Sequence, residues 1–397
     1  MKNKYKYYII LLSVVSFIWM SDLDYTVRDI EGSSNITLLS SDIYETTLEI
    51  TVDDFILLPT DSNKYKVYID KGKSLIESGS PDIPKLTTSI IIPDDAQMSI
   101  DILNSEYIDY ANIELASSKG NLSRKIDPTT IPYTYNNNYT TNAFYPGKLA
   151  DLDNPFILRD VRGQSVRIYP VQYNPTTKVL RIYSKINFII KSKNISGINS
   201  LSRKSNLIKS NSEYMNIYND FFINSNNDTR FEYIADEGGM LIICYDDFID
   251  EMAPFVEWKN KKGIPTEIVG LNEVGASVSA MQEYINNYYN NNNLAYLLLV
   301  GAINQMPTHI VNGSASDPSF GFIEGNDSFA EVIVGRFSAN NPSQLQTQID
   351  RTLQYEIDPS SNVDHFDNAI GIGSNQGPGY GGLTDAEFND LLWNDFL

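Results

Sequence analysis

Nucleophilic chemistry is thinly provided for in this sequence, which has one cysteine, Cys244, and two histidines, His309 and His365. A free thiol has a pKa of about 8.5 and is mostly protonated at neutral pH, so a working cysteine nucleophile needs an imidazole beside it. Cys244 falls within an apolar run at residues 240–245 that reads as a buried strand, so its expected role is that of a small hydrophobe. His309 follows Met306-Pro307-Thr308 in a loop and His365 lies in a polar linker, so neither is expected to serve it. A lone cysteine also excludes a disulfide framework and a CxxC knuckle, and leaves almost no material for a zinc site. The run Gly371-Ile372-Gly373-Ser374-Asn375-Gln376-Gly377 has the glycines of a phosphate cradle. It lies mostly within or just past an expected strand and no Lys or Arg follows, so phosphate binding is not expected.

The frame around these residues reads as two halves. At 397 residues, 42% hydrophobic and 20% charged, the chain is too long for one compact domain and apolar enough for real cores. From residue 44 to about 192, apolar residues alternate with period two. Leu48, Ile50 and Val52 form one set and Val67 with Ile69 another. Ile90, Ile91 and Ile92 precede Pro93-Asp94-Asp95, after which Met98, Ile100 and Ile102 resume the alternation. The clearest set is Leu180, Ile182, Ile186, Phe188 and Ile190, following the turn Asn174-Pro175-Thr176-Thr177. No helical stripe competes, so an all-β sandwich or barrel is expected. Residues 194–227 are rich in Ser, Asn and Lys and read as a linker, with one short helix around residues 214–222 and a protease-accessible stretch at 224–230.

Past Met240 the rhythm changes. Strands are expected at residues 240–245, 266–269, 294–300, 332–334 and 369–372. Between them Ile249, Met252, Ala253 and Val256 recur at helical spacing up to a cap at Gly263, residues 278–288 read as a helix, and Leu345, Ile349, Thr352 and Leu353 mark another. Strands alternating with helices imply a right-handed, mostly parallel sheet covered on both faces. Ligands of such sheets sit beyond the C-terminal strand ends, here residues 301–305 and 373–382. Residues 384–397 begin a further helix at which the sequence stops, so this half is expected to be incomplete here.

Charge and leader set the compartment. Fifty acidic against thirty basic residues give a net charge of −20, which repels phosphate backbones, so no nucleic-acid partner is expected. Lys2, Lys4 and Lys6 precede an apolar run at residues 7–20, which reads as an export signal with Ser21 nearest to a cleavage site. That run is shorter than the roughly 20 residues a membrane span needs, and no other stretch is apolar enough.

An ordered set of motifs resembles one family. Gly79-Ser80-Pro81-Asp82-Ile83-Pro84-Lys85, Ser118-Lys119-Gly120 with Asp127-Pro128, Phe144-Tyr145-Pro146-Gly147, Ile157-Leu158-Arg159-Asp160-Val161-Arg162-Gly163 and Gln172-Tyr173-Asn174-Pro175 stand in the first half. Trp258-Lys259-Asn260 with Gly263, Leu298-Leu299-Val300-Gly301, Gly325-Asn326-Asp327, Val334-Gly335-Arg336-Phe337 and Gln348-Ile349-Asp350-Arg351-Thr352 follow in the second. Together they resemble the gingipain-type cysteine peptidases, family C25. The resemblance implies a signal (1–21), a β-rich propeptide (22–193), a linker with a processing site (194–230) and the N-terminal part of a caspase-like α/β peptidase domain (231–397). It implies a secreted or surface zymogen of an endopeptidase cleaving after basic residues, arginine favoured, whose reactive His and Cys lie beyond Leu397. Its partners would be peptide substrates and its own propeptide. A sortase-like member of the family and a non-catalytic binding module are the alternatives.

Site roles follow from the resemblance residue by residue. Gln376 stands where a Glu orients the catalytic His in arginine-specific members. Asp385 matches the carboxylate that holds the substrate's basic side chain, and it is equally placed to be a helix N-terminal acid beside Thr384. Arg124 matches the inhibitory basic residue of the propeptide, and Arg230 the processing position. Asp327 and Glu331, with the carbonyls of Glu324 and Phe329, match a calcium loop of hard oxygen ligands, and read equally as an acidic turn before a strand. No organic cofactor is implied.

Overall fold

Period-two alternation buries one face of a strand, and in the computed structural model that is how the first half packs. The structure describes residues 32–123, 125–202, 207–210, 212–227, 232–236, 238–359, 370–377 and 383–396. The leader, Arg124, Arg230 and His365 lie outside them. In chain order the strands are β1 (Ser34–Ser41), β2 (Glu45–Val52), β3 (Ile56–Pro59), β4 (Tyr65–Tyr68), β5 (Lys73–Ser74), β6 (Pro84–Ile91) and β7 (Ala96–Tyr110). There follow β8 (Ala150–Leu152), β9 (Phe156–Leu158), β10 (Val161–Ile168), β11 (Val171–Asn174) and β12 (Val179–Ser196). β12 is the spine of one antiparallel sheet, pairing with β2, β7 and β11, and β2 carries β1. β10 is the spine of the other, pairing with β6, β8 and β9.

Between the sheets, Leu48, Ile50 and Val52 of β2 and the alternating set of β12 meet Leu86 and Ile90 of β6 and Val166 and Ile168 of β10. The turn into β12 is made by Asn174, whose side chain accepts from the N–H groups of Thr176 and Thr177 at 3.1 and 3.3 Å. β7 departs from the expected alternation: Met98 is buried, but Ile102 is 40% exposed and Leu103, Tyr107 and Ile108 beyond it are 49–54% exposed. The strand is 15 residues long, and most of its far half is exposed.

The segment that reads as a linker is built into the fold. Strand β13 (Leu207–Ser210) pairs in parallel with β14 (Glu232–Ala235), and helix α1 (Ser212–Phe221) lies between them in sequence. Tyr214, Tyr218 and Phe222 recur every four residues and form a stripe that packs on Ile91, Phe156, Leu158 and Val161. The surrounding Ser, Asn and Lys residues hide that stripe in the composition.

The second half is a four-stranded parallel sheet among the described residues. Its strands are β15 (Gly239–Cys244), β16 (Thr266–Gly270) and β17 (Leu294–Val300); a hairpin of β18 (His309–Val311) and β19 (Ser314–Ser316) precedes β20 (Ile333–Phe337). The order is β16-β15-β17-β20. Helices α2 (Ala253–Lys261), α3 (Val278–Asn291) and α4 (Pro342–Ile357) cover the sheet, and α5 (Asp385–Phe396) ends the described chain. Leu241, Ile243, Leu297 and Leu299 point to one face, against Met281 and Ile285 of α3. Met240, Ile242, Cys244, Leu298 and Val300 point to the other, against Phe255 of α2 and Leu345 and Ile349 of α4.

The fifth strand expected at residues 369–372 does not form. Residues 370–373 are irregular, with Ile370 87% and Ile372 90% exposed. The residues that follow it pack on the first turn of α5, where Ala386 N donates to Ser374 O and Asp385 N to Gln376 O, both at 2.9 Å. A Cβ on Gly373 would stand 2.7 Å from the backbone of Ala386, so glycine lets loop and helix meet.

One buried charge ties the sandwich together. Arg162 of β10 is fully buried and donates to the carbonyls of Pro93, Ala96, Ile198 and Asn199 at 2.7–2.8 Å. Arg162→Met leaves those four acceptors unmatched. It should lower the unfolding free energy by roughly 3 kcal/mol, read as a drop in the thermal midpoint of the full chain.

Candidate functional site

The nucleophile expected to be inert is inert by burial. Cys244 is fully buried on the α2/α4 face, and burial pushes its thiol up to about 12, far from thiolate at neutral pH. His309, which opens β18 rather than lying in a plain loop, packs edge-on against Phe320, its ring centroid 4.6 Å away. Phe320 belongs to the α3 face, so the sheet separates the thiol from the imidazole. Nε2 of His309 lies 2.9 Å from Gln282 Oε1, and burial holds the ring below the usual histidine range. Among the described residues no Cys–His pair forms.

At the C-terminal strand ends, Arg336 of β20 arranges the loop after β17. Its guanidinium holds Asp317 with two bonds of 2.7 Å and donates to Gly301 O and Met306 O at 2.8 and 2.9 Å. The Arg336 hydrogen bonds hold the Asp317 carboxyl below its ordinary value. Nearby in sequence to the end of the sheet domain, Gln376 and Asp385 come together through Ser374. Ser374 Oγ donates to Asp385 Oδ2 at 2.8 Å and accepts from Gln376 N at 3.1 Å. Thr384 and Glu387 form the reciprocal cap of α5, with Thr384 N on Glu387 Oε2 at 2.7 Å and Glu387 N on Thr384 Oγ1 at 3.2 Å. The side-chain cap is therefore made by its neighbours, and Asp385 itself stays half-buried at the first turn.

The third place where charged groups converge is the seam between the halves, and it contains the four residues of the acidic loop. β9 and β10 are joined by a two-residue turn, Arg159-Asp160, since Leu158 pairs with Val161. Arg159 takes the left-handed conformation, φ +49°, and its side chain enters the α/β half. Its Nη1 donates to Leu294 O and Glu331 O, both at 2.7 Å, and Nη2 to Asn293 Oδ1 at 3.0 Å. The guanidinium lies 4.7 Å from the Tyr214 ring centre, and Tyr214 OH also donates to Glu331 O at 2.8 Å. Leu294 opens β17 and Glu331 stands just ahead of β20, so this grip is at the N-terminal edge of the sheet.

Asp327 Oδ2 accepts from Ile157 N at 2.8 Å and Asn199 Nδ2 at 2.7 Å, while Oδ1 accepts from Phe329 N at 3.0 Å. Glu331 Oε2 accepts from Ile323 N and Glu324 N at 2.8 and 3.0 Å, and its Oε1 faces Arg159 N at 3.4 Å. The Phe329 ring stacks on Phe156 at 4.1 Å. Burial pushes the Glu331 carboxyl up to about 7, against the three N–H groups that oppose it. Both carboxylates are engaged by N–H donors, which a bound cation would have to displace. Among the described residues no cluster of three His, Cys, Asp or Glu side chains is placed to hold a metal.

Sequence reasoning quoted the motifs that contain Arg159, Arg162 and Arg336 but gave those residues no role. The signal was present: two arginines stand beside Phe156, Ile157, Leu158 and Val161, and an arginine is buried in such surroundings only with dedicated acceptors. Asn199 and Asn293 carried no such signal.

Comparison with known proteins places these features in one family. Residues 32–222 match the family model Propeptide_C25, and residues 234–393 match that of peptidase family C25. The chain is 35% identical to gingipain R1 of Porphyromonas gingivalis over 82% of its own length and 33% of that protein's. It is 34% identical to gingipain R2 of the same organism, over 82% of this chain and 45% of that one. The solved complex of Porphyromonas gingivalis RgpB pro- and mature domains shares 32% identity, covering 48% of this chain and 96% of that chain with a TM-score of 0.44. The chain thus spans a third to a half of the length of these curated relatives. With its propeptide and peptidase regions matched in order, the chain belongs to peptidase family C25.

Proposed function

We propose that this chain is the latent precursor portion of an exported, arginine-directed cysteine endopeptidase with a caspase-like fold, its reactive His and Cys lying outside these 397 residues. The observation that carries the reading is the seam: a charged side chain of the propeptide region is buried among acceptors of the peptidase region. An Arg whose charge is removed from water is tolerated only with acceptors and a counter-charge close by, here three hydrogen bonds and the Asp160 carboxylate 3.6 Å from Nε. Such a contact couples the stability of the two halves, which suits a proenzyme held in one latent unit. Export by residues 1–21 and cleavage after Arg230 belong to the same reading.

Asp385 is the proposed partner of the substrate's arginine. A half-buried carboxylate on the first turn of α5 can receive a guanidinium through two parallel bonds, which an ammonium cannot match. Ser374 donates to Asp385 Oδ2 and would fix how the carboxylate is aimed, and Gln376, whose N–H donates to the same serine, replaces a charged His-orienting residue with a neutral amide. No step is routed through calcium. It remains a proposal for the loop carrying Glu324, Asp327, Phe329 and Glu331, tested by calorimetric titration of the full chain with calcium chloride.

Two outcomes are expected. In the longer protein activated at the linker, Asp385→Ala should lower kcat/KM for arginyl peptides at least about tenfold, about 1.4 kcal/mol, with lysyl peptides less affected. Unchanged arginine preference contradicts the assignment, and no hydrolysis of either peptide favours the non-catalytic reading. For the seam, the Glu331 carboxyl is raised from 4.5 to about 7, so its contribution is most favourable below the unfolded value and is lost as pH rises through 7. Relative to Glu331→Gln, the wild-type chain should therefore lose stability between pH 5 and pH 8, by on the order of 3 kcal/mol. Parallel midpoint-against-pH curves for the two proteins contradict this.

A further inference from the structure

The β18–β19 hairpin is fastened at its base and free at its tip. Three residue pairs close it, His309 with Ser316, Ile310 with Ala315 and Val311 with Ser314, which leaves Asn312 and Gly313 as the turn. At the base, His309 is held by Gln282 and by the edge of Phe320, and Ser316 Oγ lies 2.8 Å from Ser319 Oγ. Asp317, the next residue, is clasped by the Arg336 guanidinium. At the tip, Ile310 is 64% and Val311 47% exposed, and residues 312–315 are all exposed. Both turn residues have positive φ, +51° at Asn312 and +82° at Gly313, which is what the favoured two-residue hairpin turn requires.

Asn312-Gly313 is also the one Asn-Gly step in the 397 residues. A side-chain amide followed by glycine is open to attack by its own chain, because no Cβ screens the next backbone nitrogen. The fold does not screen it either: a Cβ built on Gly313 would meet no atom within 4 Å. We propose that Asn312 is a site of spontaneous deamidation, and that its conversion releases the tip of the hairpin while the base stays fastened. Gly313 N gives up its proton to base and attacks Asn312 Cγ; a new C–N bond closes a cyclic imide, and the side-chain nitrogen leaves as ammonia. Water then opens the ring at one carbonyl or the other, giving aspartate or isoaspartate, with nothing oxidised or reduced. The ring cannot close while Asn312 keeps its left-handed backbone, so the reaction draws on opened turns. A two-stranded hairpin with an exposed tip supplies them readily. Isoaspartate carries the chain through its side-chain carbon and lengthens the backbone by one atom, so the tight turn does not re-form. The change runs one way and adds a negative charge.

The test incubates the full chain in mildly alkaline buffer and follows the peptides containing Asn312 and Asn104 by mass spectrometry, with fragmentation that separates isoaspartate from aspartate. Asn104, exposed in β7 and followed by Ser105, is the internal reference. Asn312 should convert at least about tenfold faster than Asn104, mostly to isoaspartate. Gly313→Ala, whose methyl has room but covers the attacking nitrogen, should slow the conversion about tenfold. Amide exchange over residues 309–316 should be faster in the aged chain than in the fresh one, with an unchanged thermal midpoint. Freshly prepared Asn312→Asp, which carries the charge on a normal backbone, should exchange like the fresh chain. Conversion no faster at Asn312 than at Asn104, or insensitive to Gly313→Ala, overturns the site. Conversion without faster exchange overturns the release, and faster exchange in fresh Asn312→Asp assigns the effect to charge and overturns the backbone account. A fall in the thermal midpoint on ageing overturns its confinement to the tip.

Discussion

A guanidinium taken out of water must have acceptors waiting, and that requirement organises the contact between the two halves of this protein. Arg159 stands in a two-residue hairpin turn in a left-handed conformation that costs a non-glycine residue on the order of 1 kcal/mol. A glycine or asparagine would sit there with less strain, but neither has a side chain that reaches Leu294 O, Glu331 O and Asn293 Oδ1. The backbone tolerates the strain because the side chain is over-determined by what it meets. Around it contacts run in both directions: amides of the β-rich half end on Asp327, and carbonyls of the α/β half accept from Arg159. Arg162 continues the same chain of contacts inward by fixing Asn199, whose amide serves Asp327.

The seam lies at one edge of the parallel sheet. Because the sheet is parallel, all its strands begin at one edge and end at the other. The seam grips the beginning, at Leu294 and ahead of β20, whereas ligands of such sheets are met at the strand ends. With β17 seven residues long, the two edges lie roughly 20 Å apart.

Much of the architecture was legible in the residues because burial imposes a period. The alternating set of β12 lies in the sandwich core, and the alternate residues of β15 and β17 divide between the two faces of the parallel sheet. The inert environment of Cys244 followed from its place in an apolar run. Two features escaped. The helix around residues 214–222 was expected, but the burial of its Tyr214, Tyr218 and Phe222 stripe in the fold was hidden by polar neighbours, and the isoleucines at 370 and 372 have strand character with no strand to pair in the described residues. The seam was the least visible, since Asn199, Asn293 and the acidic loop acquire meaning only when sequence-distant segments meet. A pair of carboxylates four residues apart suits hard cations and buried amides alike, and only the third dimension says which donors face them.

The central claim is that the seam is as well ordered as a core, and amide hydrogen exchange of the full chain measures it directly. The N–H groups of Ile157, Ile323 and Glu324 end on the Asp327 and Glu331 carboxylates. They should exchange as slowly as the amides of β15 and β17, which sit in the centre of the parallel sheet. If they exchange instead at the rate of the exposed loop amides, the two halves are not joined in the way described.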